Sequence, residues 1–319
     1  MELRQGANAL LARATGYQLS RPPASRPWRY PSPEWLNKVL ARTTGYQLSR
    51  PPARRVRHIA PPQGRRMLRA PVFILSAARS GSTLTRVILG SHSQLFAPPE
   101  LPLKQLGVRA ETPWIRASIE ALGLSTTELD YLLWDRVLAD ALERSGKQTV
   151  VAKTPSNALI WENIAACWPD ARFIVLLRHP AASASSLHAL WDPAWHPDES
   201  GTVDESVGKA LRYMAKVDEA RRALPALTVR YEDLTADPET VTRQMCDFLG
   251  VGYEPAMLDY GRFGHDGLVA GLGDSSVSIR SGRIQAAAPP PQQIPAALAD
   301  ICISWGYLKP EDDPRRRSA

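Results

Sequence analysis

Long hydrophobic runs are absent from this chain. The longest, Val72–Leu75 and Phe173–Leu177, fall far short of the ~20 residues that cross a bilayer. Asn-x-Ser/Thr acceptors are also absent: Asn8, Asn37, Asn157 and Asn163 all lack the hydroxyl residue two positions on. Cysteine is scarce. Cys167, Cys246 and Cys302 are odd in number, far apart and set in apolar, helical contexts. This excludes a disulfide scaffold and suits buried thiols in a reducing compartment. The expectation is a cytoplasmic protein with no membrane partner. Metal-ligand spacings are missing too, since no Asp-x-Asp, His pair or Cys pair occurs and His92, His179, His188, His196 and His265 are scattered.

The formal net charge is +7, but the average conceals a split. Residues 1–70 carry 14 Lys and Arg against 2 Glu, and the rest of the chain carries 25 basic against 30 acidic groups. The folded part is therefore not a nucleic-acid binder. The basic leader contains an internal duplication: LARATGYQLSRPPA at Leu11–Ala24 returns as LARTTGYQLSRPPA at Leu40–Ala53. Two Arg- and Pro-rich copies cannot bury a solenoid core. The expected state is a largely disordered leader with short helical pieces, as at Pro33–Arg42. It reads either as a docking arm for an acidic protein partner, with Trp28, Tyr30 and Trp35 as anchors, or as a duplication without a selected role.

From Leu68 onward, buried strands alternate with helices. The expected strands are Val72–Leu75, Thr149–Ala152, Arg172–Leu177 and Ala226–Val229. Helices are expected at Leu84–Leu89, Thr112–Leu122, Thr126–Arg144, Asn157–Trp168, Pro180–Leu190, Asp204–Ala223 and Pro238–Leu249. This is the pattern of an α/β fold, a P-loop-like parallel sheet with helices on both faces. The expected organisation is a leader over 1–67, one domain over 68–309 and a charged tail over 310–319.

The stretch PVFILSAARSGST, Pro71–Thr83, runs from a strand through a small-residue turn into a helix. Such a junction gathers backbone N–H groups at the positive end of a helix dipole and suits a phosphate. Against the G-x-x-x-x-G-K-[ST] pattern of nucleoside-triphosphate loops, Gly81 and Thr83 match, but Ser76 replaces the first Gly and Ser82 replaces the Lys. The loop fits a 5′-phosphate that does not belong to a triphosphate. Two further cations emerge at strand ends, Lys153 after TVVA and Arg178 after FIVLL. In parallel sheets, ligands bind beyond the carboxyl ends of the strands. Each cation alone reads equally well as an ion-pair partner; three on one rim point to an anion.

The blocks SAARSGSTLTRVILGSHSQLFAPPEL, VVAKTPSNAL, FIVLLRHPAASASSL and VRYEDLTADPETVTRQMCDFLG, in this order, resemble the sulfotransferases that use 3′-phosphoadenosine-5′-phosphosulfate (PAPS). The likeness spans residues 71–285 and is strongest to the tyrosylprotein-sulfotransferase-like branch and to bacterial natural-product enzymes. It implies that Arg79, Ser80, Gly81, Ser82 and Thr83 hold the 5′-phosphosulfate. It implies that Arg178 and Ser186 clamp the 3′-phosphate, with Ser183 and Ser185 as competitors. It implies that Lys153 is the lysine of the K-[TD]-P element, and that Glu100, 21 residues past Arg79, is the base. A later loop, Gly273–Ile284, matches the segment that closes over the nucleotide, through Arg280, Ser281 and Gly282. The histidine base of many cytosolic members has no match.

The resemblance implies in-line transfer of a sulfuryl group to an acceptor hydroxyl. Glu100 takes the proton, while Arg79, Lys153 and the loop amides stabilise the departing oxygen, with PAP as product and no metal required. The expected acceptor is a small-molecule or carrier-tethered natural product, with a phenol or tyrosine as the second choice. Asp192, Trp195 and His196 are candidates for the acceptor cleft. Trp114, Trp134 and Trp161 read either as an acceptor pocket or as core. Two other readings are a P-loop-like small-molecule kinase, which the missing lysine disfavours, and an idle nucleotide-binding scaffold.

Overall fold

The computed structural model describes residues 66–189, 202–264 and 277–317, with two short strands at 18–20 and 47–49. The first half holds strands β1 (Gln18–Ser20), β2 (Gln47–Ser49) and β3 (Val72–Ser76), helix α1 (Ser82–Gly90), strand β4 (Leu95–Phe96), helices α2 (Pro113–Ala121) and α3 (Thr126–Ser145), and strand β5 (Thr149–Lys153). The second half holds α4 (Trp161–Cys167), β6 (Arg172–Leu177), α5 (Pro180–His188), α6 (Val203–Ala223), β7 (Ala226–Arg230), α7 (Tyr231–Ala236), α8 (Pro238–Leu249), α9 (Val277–Arg280) and α10 (Ala299–Ser304).

Two compact units result, Met1–Ala60 with Arg109–Thr126, and Pro61–Val108 with Thr127–Ala319. In the first, β1 and β2 are the matching QLS tripeptides of the duplicated segments. They pair antiparallel with Gln18 opposite Ser49, Leu19 opposite Leu48 and Ser20 opposite Gln47. Helix α2 starts with a proline and is capped by Thr112, whose hydroxyl accepts from the Ile115 N–H at 3.2 Å; none of its residues is buried. The helical piece expected at Pro33–Arg42 lies outside the described residues.

The second unit is built on a five-stranded sheet in the order β4-β5-β3-β6-β7. All four pairings are parallel. β3 occupies the centre and is buried on both faces. Phe73 and Leu75 belong to one apolar cluster with Trp168, Phe173, Met214 and Trp305. Val72 and Ile74 belong to the other, with Leu84, Ile88, Ile174 and Met245. The period-2 split of one short run into two cores is what a parallel strand sandwiched by helices requires. After β3 the chain leaves toward β4 and β5, and after β6 it leaves toward β7. The carboxyl ends of β3 and β6 thus flank the topological switch point, where such sheets open a crevice.

Several boundaries move against the sequence expectation. The segment around Leu95–Phe96 adds an edge strand beside β5. The helix expected over Asn157–Trp168 is a 3₁₀ turn, Pro155–Ile160, followed by α4, because Pro155 opens a tight turn before the α-helix can start. A six-residue helix, Tyr231–Ala236, stands between β7 and α8, where no element was expected. No described helix is long and apolar enough to cross a membrane.

Candidate active site

The turn between β3 and α1 places two residues in the left-handed region, Arg79 at φ 63° and Gly81 at φ 83°. For Gly81 the sequence has little choice, because a Cβ there would overlap the ring of Tyr231. Arg79 adopts a conformation that costs a non-glycine residue of order 1 kcal/mol, and it is tied at both ends. Its carbonyl accepts from Nη1 of Arg178 at 2.7 Å, and its own Nε donates to Oγ of Ser186 at 3.2 Å. The two strand-end arginines are thus joined across the switch point. Helix α1 begins at Ser82 with no side-chain cap and no acidic residue in its first turn. That leaves the N-terminal amides and the dipole available to an anion.

These groups line a cleft of about 390 Å³, within the range of small-ligand sites. Arg79, Gly81, Ser82, Thr83, Glu100, Lys153, Arg178 and Ser186 all reach its wall. Lys153 is 2% exposed. Its ammonium donates to Oγ1 of Thr83 at 3.1 Å and forms an ion pair with Glu100, so the β5 cation, the loop hydroxyl and the candidate base meet at one point. Of the three competing serines, Ser186 alone lines the cleft, whereas Ser183 is fully buried and Ser185 exposed.

Other expected residues stand elsewhere. Ser80 is buried beneath the loop, and its hydroxyl meets no hydrogen-bonding partner among the described residues. Arg280, Ser281 and Gly282 do not line the cleft. Ser281 instead donates to the carbonyl of Ser278 at 2.7 Å. Gly282 abuts Gly261 so closely that a Cβ on either would collide with the other. The following residues Arg283 and Gln285 line the cleft instead. Tyr260 supports them, its hydroxyl donating to the Arg283 carbonyl at 3.1 Å. Trp114, Trp134 and Trp161 are not in the cleft wall. Trp114 is exposed, and Trp134 is core, with its indole N–H on the Leu106 carbonyl at 2.6 Å. Asp192, Trp195, His196 and residues 273–276 lie outside the described residues.

Sequence reading missed three contributors. Tyr231 roofs Gly81, and its ring centroid lies 4.9 Å from the guanidinium carbon of Arg178. Tyr260 walls the far side. Arg86 is 1% exposed inside α1, and its Nη1 donates to the carbonyls of Ala97 and Pro98 at 3.3 and 3.2 Å. It thereby anchors the segment that presents Glu100. Burial lowers the Arg86 pKa and Glu100 opposes that shift. The available signal for Arg86 was a lone charge inside the apolar string LTRVIL. Among the described residues, no group of three His, Cys, Asp or Glu stands where it could hold a metal ion.

Residues 71–255 match the sequence model of the sulfotransferase family. Nodulation protein NoeE of Sinorhizobium fredii is 28% identical over 230 residues, covering 58% of this chain and 50% of NoeE. Protein-tyrosine sulfotransferase 1 of Danio rerio is 25% identical over 221 residues, covering 65% of this chain and 59% of that protein. The chain thus spans 50 to 59% of the length of these relatives. Among solved structures, the sulfotransferase domain from the curacin biosynthetic pathway superposes with a TM-score of 0.51 at 24% identity, covering 76% of this chain and 99% of that one. That likeness is one of fold.

Proposed function

The chain belongs to the sulfotransferase family, and from that premise we propose that it transfers a sulfuryl group from PAPS to the hydroxyl of a natural-product or carrier-tethered acceptor. The observation that carries the reading is the joined pair Arg79–Arg178 at the switch point, beside an uncapped helix start. The donor set fits a nucleotide with two separate phosphates. Four cations, Arg79, Lys153, Arg178 and Arg283, line the cleft with one carboxylate, Glu100, and Tyr231, Tyr260 and Ile279 supply flat or apolar wall for a base.

In this reading the α1 amides, Ser82 and Thr83 hold the 5′ side, while Arg178 and Ser186 hold the 3′-phosphate. The donor supplies an activated sulfur–oxygen–phosphorus linkage. Glu100 accepts the acceptor's hydroxyl proton as the new oxygen–sulfur bond forms and the bond from sulfur to the 5′-phosphate oxygen breaks, releasing PAP. As Glu100 gains a proton, Lys153 loses its anionic partner, and its charge becomes available to the departing oxygen. Arg79, from the loop before α1, is the second cation assigned to that oxygen. Both are preorganised, Lys153 by burial and Arg79 by its two hydrogen bonds, which is where electrostatic catalysis is strongest. The acceptor class is supported by the family and by the natural-product origin of the curacin domain.

The test is a calorimetric titration with PAP, and with ATP and magnesium, joined to turnover of Glu100→Gln. PAP is expected to bind and magnesium-ATP is not. Glu100→Gln is expected to lose roughly 10²–10⁴-fold in kcat while binding PAP within about twofold of the parent. Uptake of magnesium-ATP in preference to PAP would replace this reading with a kinase. Undiminished turnover would remove Glu100 as the base.

A further inference from the structure

The carboxylate of Glu232 on α7 lies between the end of β6 and a C-terminal segment outside the family-matched residues. Its Oε1 accepts the backbone N–H of His179 at 2.9 Å. His179 directly follows Arg178 and precedes the first residue of α5, whose start has no side-chain cap of its own. The other oxygen, Oε2, accepts the hydroxyl of Tyr307 at 2.7 Å. Tyr307 is gripped around its ring. The guanidinium carbon of Arg230 lies 4.5 Å from the ring centroid, and the His179 ring meets it edge-on at 5.2 Å. Arg230 also donates to the carbonyl of Trp305, clamping the same segment to the end of β7. Burial and Glu232 push the ionisation of Tyr307 above the ordinary phenol range, so its hydroxyl stays a donor. Burial lowers the His179 pKa, which favours the neutral ring.

A continuous chain of bonds therefore runs from the C-terminal segment into the cleft: Tyr307 to Glu232, Glu232 to the His179 amide, and from the adjoining Arg178 to the Arg79 carbonyl. α7 contributes both Glu232 and Tyr231, the ring on which Arg178 rests. Holding Glu232 fixes the backbone after Arg178 and the aromatic seat of its guanidinium together.

We propose that Tyr307 is a positioning residue for donor binding: through Glu232 it sets the placement of Arg178 against the Arg79 loop. This rests on the donor reading above. It adds a requirement on the C-terminal segment that the cleft wall alone does not impose. Tyr307 does not line the cleft, so its effect reaches the ligand only through the chain of bonds.

The decisive variant is Tyr307→Phe in the full-length protein, which keeps the ring between Arg230 and His179 and deletes one O–H. Two quantities are read: the PAP dissociation constant by calorimetry, and amide hydrogen exchange of Arg178 and His179 without ligand. Tyr307→Phe is expected to accelerate exchange there and to weaken PAP roughly three- to tenfold, the range for the net contribution of one hydrogen bond, with the acceptor KM unchanged. Glu232→Ala, which removes both bonds, is expected to give a larger effect of the same kind. Asp300→Asn breaks an exposed ion pair with Arg315 in the same part of the chain and is expected to change neither quantity. Parent-like PAP affinity in Tyr307→Phe, or unchanged exchange at Arg178 and His179, would overturn the proposal. A parent chain that fails to bind PAP would instead overturn the donor reading, a result distinct from a parent that binds and a variant that binds equally well.

Discussion

Gly81 is the position where one added methyl group changes most. It combines a positive φ of 83° with a roof formed by Tyr231. Gly81→Ala incurs the left-handed penalty of ~1–2 kcal/mol and must also displace the ring that seats Arg178. The expected outcome is a protein that still folds, with a melting temperature lowered by several degrees and PAP affinity reduced by about tenfold or more. A melt and a titration on the same sample check both. The importance of Gly81 was legible from its place in a strand-to-helix turn. Its actual neighbour was not, since nothing in RSGST announces a tyrosine 150 positions later. The same holds for Arg86. A charge within an apolar helix face marks an unusual burial, but its hold on the Ala97 and Pro98 carbonyls depends on a tertiary meeting. Lys153 stood out at a strand end and Glu100 through the family resemblance, whereas their ion pair appears only when β5 lies beside β3.

At the scale of elements, α3 shows how one helix fixes the start of the central strand. Asp135 accepts from the Met67 N–H at 2.6 Å, from the Leu68 N–H at 3.2 Å and from the Trp168 indole at 2.8 Å. It holds the segment leading into β3 and the end of α4 on one carboxylate. Asp135→Ala would strand three donors, of which the Leu68 amide and the Trp168 indole are buried. At ~1–3 kcal/mol per unsatisfied buried group, a loss of roughly 3–5 kcal/mol is expected in urea unfolding. Asp135→Asn retains one acceptor oxygen and is expected to lose less. Strongly patterned elements were readable in advance: β6 and α8 have the expected ends, and β3 differs by one residue. Their apolar runs and flanking Pro and Gly act locally. β4 was not readable, because a two-residue strand is defined by its partner rather than by its own propensity. At the C-terminal wall Arg283, three positions beyond Arg280, lines the cleft, and the nearby Gly282–Gly261 contact is a tertiary meeting that leaves no local trace in the sequence.

For the molecule as a whole, the thiols report how closed the interior is. All three cysteines are buried. Burial raises the Cys246 thiol to about 11 and the Cys302 thiol to about 12. The Tyr131 phenol is pushed the same way, to about 12, with burial again the first cause. The folded state therefore holds these protons more tightly than the unfolded chain. The stability Cys246 contributes is complete below the ordinary thiol value of 9.0 and is lost as pH rises through about 11, and that of Cys302 and Tyr131 is lost on the way to about 12. The expected result is a melting temperature that declines across pH 9–11, with a shallower decline in Cys246→Ala. Iodoacetamide at neutral pH is expected to leave the native thiols unmodified and to label all three in denaturant. Mass spectrometry reads the count. The α/β architecture was legible at this scale because alternating buried strands and helices leave few other ways to cover a parallel sheet. The pairing of β1 with β2 was not, since it joins segments from separate copies of a repeat.

That pairing is a palindrome in backbone form. Leu19 and Leu48, the same position of each copy, meet at its centre, and the flanking Gln and Ser pairs exchange roles on either side. A local dyad passes through the ladder within a single chain. Transposing the two copies along the gene would leave every rung unaltered, whereas a substitution confined to one copy would give the ladder two distinguishable halves.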